Sequence, residues 1–83
     1  MTDPLPDWMK PADVRILEIL AGTQQAKVGG LWLKAATIAQ NVDLNPNYVG
    51  RRCRTLAEHD LIDKEGDYYR IKDSGAAYVT KQN

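Results

Sequence analysis

Apolar residues recur at helical spacing soon after the start of the chain and mark the first regular element. Proline suits the first position of a helix, and Asp13 would place a favourable negative charge in the first turn. The pattern therefore predicts helix 1 from Pro11 to near Gly22. Its apolar stripe consists of Val14, Ile16, Leu17, Leu20 and Ala21.

A polar connection and two short elements come next. Residues 23–30 are mostly polar and end in two adjacent glycines, and residues 31–33 are apolar but too few for more than a strand stub. A second helix is predicted from near Ala35 to Asn41, because asparagine tolerates the left-handed conformation of a helix exit. Residues 42–44 then form a turn.

The pair Asn45-Pro46 is the sharpest local signal in the chain. An asparagine side chain can cap the free N–H groups of a helix, and proline is preorganised for the first helical position. Helix 3 is therefore predicted over residues 46–59. At about 100° per residue its inner face carries Val49, Cys53 and Leu56.

The last third of the chain has the pattern of a hairpin followed by a helix. Residues 61–71 are predicted as two strands around a tight turn at Gly66, and Asp73 is a candidate cap for a final helix. This order of elements predicts an α+β, mainly α fold, the winged helix-turn-helix. It would have a three-helix core, a two-stranded wing and an extra C-terminal helix, with residues 1–10 as an N-terminal arm and 11–83 as the domain.

Length and charge limit the protein to one small domain. The chain has 83 residues, eleven acidic and eleven basic, so its formal net charge is zero. A chain this short buries roughly 60–65% of its unfolded surface and supports one core. No apolar run approaches the roughly 18 residues that cross a bilayer, and the start lacks the regions of a secretory signal. We expect a cytoplasmic protein without membrane contact.

The inventory of reactive residues argues against an enzyme. Cys53 and His59 are the only residues of their types, so neither an internal disulfide nor a Cys/His zinc site can form. The lone serine, Ser74, stands at a predicted helix start and not in a nucleophile elbow. The glycines form no phosphate-binding loop. We therefore expect no catalysis, no cofactor and no metal.

Helix 3 carries the candidate chemistry. It contains one carboxylate, Glu58, and three arginines, Arg51, Arg52 and Arg54. The arginine side chain suits phosphate oxygens and the major-groove edge of guanine. A solvated basic face is the alternative, and Arg52, nearest the core side, is almost as well suited to an ion pair with a helix 1 carboxylate. Glycine is unfavourable in the middle of a helix, so Gly50 needs a reason. Close contact with helix 2 is the favoured explanation, and close approach to DNA is the alternative.

Further candidate DNA contacts lie at the start of helix 3 and in the wing. Asn47 can bond to adenine and the Tyr48 hydroxyl can reach phosphate, although Asn47 can also cap locally and Tyr48 can also pack against helix 2. Asn45 stands at a helix N-terminus, which attracts anions. Lys64 and Arg70 of the wing are candidate contacts to the DNA backbone.

The charges are unevenly distributed although their sum is zero. Residues 1–20 hold four acids and two bases, whereas residues 34–59 hold four bases, Lys34 among them, and two acids. A neutral total is therefore compatible with a basic face that contacts DNA phosphates. We expect a DNA-binding transcriptional regulator, with Lys34 as a phosphate contact. The alternative is a winged-helix protein-interaction module whose helix 3 arginines engage an acidic partner.

A series of short motifs along nearly the whole chain resembles the small archaeal winged-helix regulators similar to the phiH phage repressor, a MarR-like winged helix. The resemblance implies sequence-specific binding of double-stranded DNA and transcriptional repression. It also implies that residues 45–55, including Thr55, form the recognition helix. The motifs are Asp7-Trp8-Met9, Pro11, Asp13, Ile16-Leu17-Glu18, Ile38-Ala39, Asn41, Tyr48-Val49, Arg51-Arg52, Leu56, Glu58-His59, Leu61-Ile62 and residues 68–75.

The apolar residues at both chain ends suggest an assembly. A single recognition helix reads few base pairs, so we expect a homodimer on a pseudo-palindromic site. The alternative is that these residues only cover the core of the monomer. The candidate interface consists of helix 1 together with Leu5, Trp8, Met9, Ala76, Tyr78 and Val79.

Overall fold

A computed structural model describes residues 6–24 and 30–80, and its elements follow the predicted order. Four helices and a small antiparallel sheet confirm the mainly helical α+β winged helix. The bounds are Pro11–Ala21 (α1), Leu33–Lys34 (β1), Ala35–Val42 (α2), Pro46–Glu58 (α3), Ile62–Glu65 (β2), Tyr68–Ile71 (β3) and Asp73–Thr80 (α4). Leu5, the segment 25–29 and residues 81–83 lie outside the described residues.

The sheet has three strands, in the order β1-β3-β2. The predicted hairpin is present as β2 and β3, and Gly66 at its turn has a φ of 61°, which glycine adopts without steric cost. The prediction of a strand over residues 31–33 was wrong in position. The strand is Leu33–Lys34, because these two residues are the ones that pair, with Tyr69 and Tyr68 of β3.

Helix α2 ends later than its sequence suggests. Asn41 lies within the helix, where its Nδ2 donates a hydrogen bond to the Thr37 carbonyl oxygen at 2.9 Å. The left-handed exit is Asp43, with a φ of 56°. Val42 is buried in the core, so extending the helix to this residue removes an apolar side chain from water. Asp shares with Asn the short polar side chain that tolerates this conformation.

Helix α4 begins at Asp73 itself, so the expectation that Asp73 precedes and caps this helix was wrong by one residue. Its carboxylate lies in the first turn, where negative charge is favourable. The helix start is fastened to the end of α3 by two contacts with Asp60. Ser74 Oγ donates to the Asp60 carbonyl oxygen at 2.6 Å, and Lys72 forms an ion pair with the Asp60 carboxylate.

The core lies between the first three helices, α4 and one face of the sheet. Trp8 packs against this core and Met9 is buried in it, so these two arm residues dock on their own domain. No helix in the described ranges is long and apolar enough to span a membrane. The buried apolar residues are Met9, Ile16, Leu17, Leu20, Ile38, Ala39, Val42, Val49, Cys53, Leu56, Leu61, Ile62, Tyr69, Ile71 and Ala76.

Candidate nucleic-acid interface

The turn between α2 and α3 is fixed by backbone and side-chain hydrogen bonds. The Leu44 N–H donates to the Ala39 carbonyl oxygen at 3.2 Å, across the left-handed residue. Asn45 then caps α3 as predicted, because its Oδ1 accepts from the N–H groups of Asn47 at 2.8 Å and Tyr48 at 3.3 Å. The start of α3 is thereby held in one orientation.

Helix α3 presents one polar face to solvent. Its buried residues Val49, Cys53 and Leu56 share the opposite face, as the sequence predicts. Positions separated by four and three residues fall on one side of a helix. The exposed residues at that spacing are Asn47, Arg51, Arg54 and Glu58, and we call the first three, which carry no negative charge, the α3 row.

Two half-buried residues border the α3 row. The Tyr48 ring lies beside it, with the Arg51 guanidinium 6.0 Å from the ring centroid. Thr55 Oγ1 donates to the Arg51 carbonyl oxygen at 3.1 Å, so the hydroxyl hydrogen is engaged within the helix. The Thr55 oxygen remains able to accept a hydrogen bond.

Arg52 points away from the α3 row and forms the ion pair with a helix 1 carboxylate that the sequence left as the alternative to a DNA contact. Its Nε lies 2.8 Å from Asp13 Oδ1 and its Nη2 lies 2.5 Å from Asp13 Oδ2, a bidentate ion pair with α1. Nη2 also donates to the Trp8 carbonyl oxygen at 3.1 Å. The hydrogen bonds with Asp13 raise the Arg52 pKa above its ordinary value. Since Asp13 is fully buried, the guanidinium compensates a charge inside the protein.

Lys34 and Arg70 lie on the outer face of the sheet, away from the core. The Lys34 ammonium lies 5.4 Å from the Tyr68 ring centroid, and the Arg70 guanidinium lies 4.6 Å from that of Trp32. Arg70 also forms a 3.4 Å ion pair with Asp63 across the hairpin. The side chains of both cations thus already have partners on this face.

Lys64 is placed on the other face of the sheet. It pairs in register with Tyr69, whose ring is buried, and directly paired residues point to the same side. Burial raises the Tyr69 pKa, and Arg54 of α3 partly opposes that increase. Arg54 is therefore near the Tyr69 side of the wing, on which the exposed Lys64 also lies.

Two features were missed or left open by sequence reasoning. His59, for which the sequence indicated no partner, stacks on Trp8 with ring centroids 3.7 Å apart and an interplanar angle of 5°. Cys53 is fully buried, and its surroundings raise the thiol pKa to about 12, so it serves as a small core residue. Within residues 6–24 and 30–80 no cluster of His, Cys, Asp and Glu could hold a metal ion.

A capped helix with a polar, basic outer row, placed after a tight turn and beside a hairpin, defines a winged helix-turn-helix domain. The sequence profile of the winged helix-turn-helix phage repressor family matches residues 3–83, so the chain belongs to that family. The family is named for phage repressors that contain this domain. No curated protein matches the chain significantly in sequence.

The fold is also found in a solved structure. A MarR family protein from Mycobacterium tuberculosis superposes with a TM-score of 0.71 at 15% sequence identity. The match covers 88% of this chain and 50% of the mycobacterial chain, so the present chain spans half the length of that protein. At this identity the similarity demonstrates the winged-helix fold.

Proposed function

We propose that the protein is a sequence-specific repressor that inserts α3 into the major groove of double-stranded DNA. The observation that carries this proposal is the α3 row, in which Asn47, Arg51 and Arg54 are exposed on one face of a rigidly capped helix. The amide of asparagine and the guanidinium group of arginine form hydrogen bonds with base edges, and arginine also binds phosphates. The neighbouring Tyr48, Thr55 and the helix N-terminus at Asn45 supply contacts to the DNA backbone.

The wing contributes less than α3 in this proposal. Lys64 lies on the side of the wing near Arg54 and is assigned a phosphate contact. Lys34 and Arg70 can contact the DNA backbone only with the part of each cation that its aromatic partner leaves open. The region 11–83 is assigned as the DNA-binding domain, and Trp8 and Met9 of the arm pack onto it.

The test begins with selection of binding sites from a random duplex library. Replacing Arg51 with Ala should weaken binding to the selected duplex by about 1–3 kcal/mol and remove discrimination at one base pair. Arg54→Ala should weaken all duplexes and lower the slope of log affinity against log salt by roughly one. Lys10→Ala, which removes an equal charge from an exposed site before α1, is the control and should change neither quantity.

Two outcomes would contradict the proposal. Failure of the library to yield any enriched sequence would reject sequence-specific binding. A salt-sensitive interaction with acidic proteins but not with duplex DNA would favour the protein-interaction alternative. Repression is tested separately, since the bound protein should block transcription in vitro from a template that carries the selected site at its promoter.

We further propose that two copies bind a pseudo-palindromic site, with half-sites about 10 base pairs apart or a multiple of that. Because Met9 and Ala76 are buried within the monomer, the arm and α4 act partly as a cover for the core. Tyr78 and Val79 of α4 are only half-buried and so retain apolar surface for a partner. Light scattering on the selected duplex should give two protein copies per site, and one copy would reject the dimer.

A further inference from the structure

Helix α1 is joined by side chains to both halves of the helix-turn-helix. Asp13 holds α3 through Arg52, as described above. Two residues later, Arg15 Nη2 donates a hydrogen bond to the Val42 carbonyl oxygen at 2.5 Å. Val42 is the last residue of α2, so these two contacts attach the end of α2 and the side of α3 to the same short stretch of α1.

The contact with Val42 lies where the backbone of α2 needs a partner. The last four carbonyl oxygens of a helix accept no hydrogen bond from an N–H group of the same helix. A cationic donor at this end also interacts favourably with the helix dipole. Immediately after Val42 the chain enters the left-handed Asp43. The Arg15 guanidinium therefore holds the residue from which the turn toward α3 departs.

We propose that Arg15 is a positioning residue for DNA recognition. It holds the end of α2 and the following turn in place relative to α3, which Arg52 attaches to α1. The expected effect of Arg15 on DNA binding rests on the proposed function above, whereas the expected effect of Arg15 on the turn does not. Hydrogen bonds from the α3 row to base edges need defined geometry, and nonspecific attraction to phosphates does not. Loss of Arg15 should thus lower discrimination between sequences more than general affinity.

The competing reading is that Arg15, an exposed cation, touches a phosphate itself. The two readings differ in what they predict for a random duplex. A phosphate contact weakens every sequence equally and lowers the salt slope by roughly one. A positioning contact leaves the random duplex nearly unchanged and keeps the slope.

The first measurement needs no DNA. Hydrogen exchange is followed at the Asp43 and Leu44 amides, which both donate to the Ala39 carbonyl oxygen. Arg15→Gln should speed exchange at these amides roughly tenfold, as expected for loss of a charge-assisted hydrogen bond. Arg15→Lys should restore part of the protection. Glu18→Gln, at an exposed site on the same helix, is the matched control and should leave both amides unchanged.

The second measurement compares the selected duplex with a random duplex of the same length. Arg15→Gln should bind the selected duplex roughly five- to tenfold more weakly and the random duplex with almost unchanged affinity, while Arg15→Lys recovers part of the loss. Equal losses on both duplexes with a smaller salt slope would make Arg15 a phosphate contact and overturn the proposal. Unchanged exchange at Asp43 and Leu44 would also overturn it. If wild-type protein selects no sequence, the proposed function fails, and the exchange data still decide whether Arg15 holds the turn.

Discussion

The buried ion pair between Asp13 and Arg52 offers the sharpest test of the assignments on α3. Arg52→Met keeps much of the aliphatic length of the side chain but removes the guanidinium. Three hydrogen bonds would be lost, two to the Asp13 carboxylate and one to the Trp8 carbonyl oxygen. The Asp13 carboxylate, with none of its surface exposed, would keep only the Lys10 N–H as a hydrogen-bond partner within residues 6–24 and 30–80.

The expected loss of stability is large for a domain of this size. Removing one partner of a buried ion pair costs about 3–5 kcal/mol, because the remaining charge is left without compensation. A domain of 83 residues has a total unfolding free energy of about 4–12 kcal/mol. At 4–8 °C per kcal/mol, the Tm of Arg52→Met should fall by roughly 12–40 °C.

The pair is asymmetric, and this predicts a second result. Arg52 retains 14% exposure of its side chain whereas Asp13 has none. In Asp13→Asn the guanidinium can still reach water and the amide oxygen can still accept, so the loss should be about half that of Arg52→Met. The double variant carries no stranded charge, and its loss should be smaller than the sum of the single losses.

The assay is urea unfolding of the four proteins, followed by circular dichroism. Arg54→Met is the matched control, since Arg54 is exposed and lies on the same helix, and it should change stability by at most about 0.5 kcal/mol. A loss below about 1 kcal/mol for Arg52→Met, together with weakened DNA binding, would refute the structural assignment and return Arg52 to the DNA interface.

Three further predictions concern the core and its close contacts. Gly50→Ala should raise the unfolding free energy by about 1 kcal/mol in urea titrations, because alanine favours a helix and an added Cβ would lie 3.9 Å from the Ala35 Cβ, an ordinary contact. Reduced stability would show that α2 cannot accommodate the added methyl group. Reduced DNA affinity with unreduced stability would indicate close approach of Gly50 to DNA. Gly75→Ala should instead lower stability by about 1–3 kcal/mol, since its Cβ would lie 2.2 Å from the Leu61 carbonyl oxygen, and an unchanged Tm would contradict this. Because burial raises the Cys53 pKa from 9.0 to about 12, the unfolded chain releases this proton at lower pH than the folded protein, so stability should decline from pH 9 toward 12, by about 1 kcal/mol at pH 10. Cys53→Ala should lack this part of the alkaline loss, and identical pH profiles for variant and wild type would reject the prediction.

Local patterns predicted the helices because the relevant interactions are local. The Asn45-Pro46 start of α3 and its buried face follow from capping chemistry and helical periodicity, and both are confirmed. The end of α2 was mispredicted because Asn41 and Asp43 have nearly equal tolerance for a left-handed exit. Burial of Val42 against other elements decides between them, and a single segment does not encode that.

The candidate site was harder to predict, since it depends on partners distant in the chain. The spacing of Asn47, Arg51 and Arg54 placed them on one exposed face, but the choice between DNA and an ion pair for Arg52 required the position of Asp13, 39 residues earlier. The stacking of His59 on Trp8 likewise joins the arm to the end of α3. Both contacts arise only in the folded domain, where α1 and the arm before it lie against α3.

The hairpin turn leaves the wing free to vary in evolution. The φ of 61° at Gly66 still favours glycine at that one position, but no described residue lies within 4 Å of the space beside it, and the adjoining Glu65 and Asp67 are exposed. Insertions and charge changes at exposed turns of this kind are tolerated, because they disturb no core contact. Related chains can therefore acquire longer or more basic wings, and with them new binding preferences, while the packing that orients α3 is inherited unchanged.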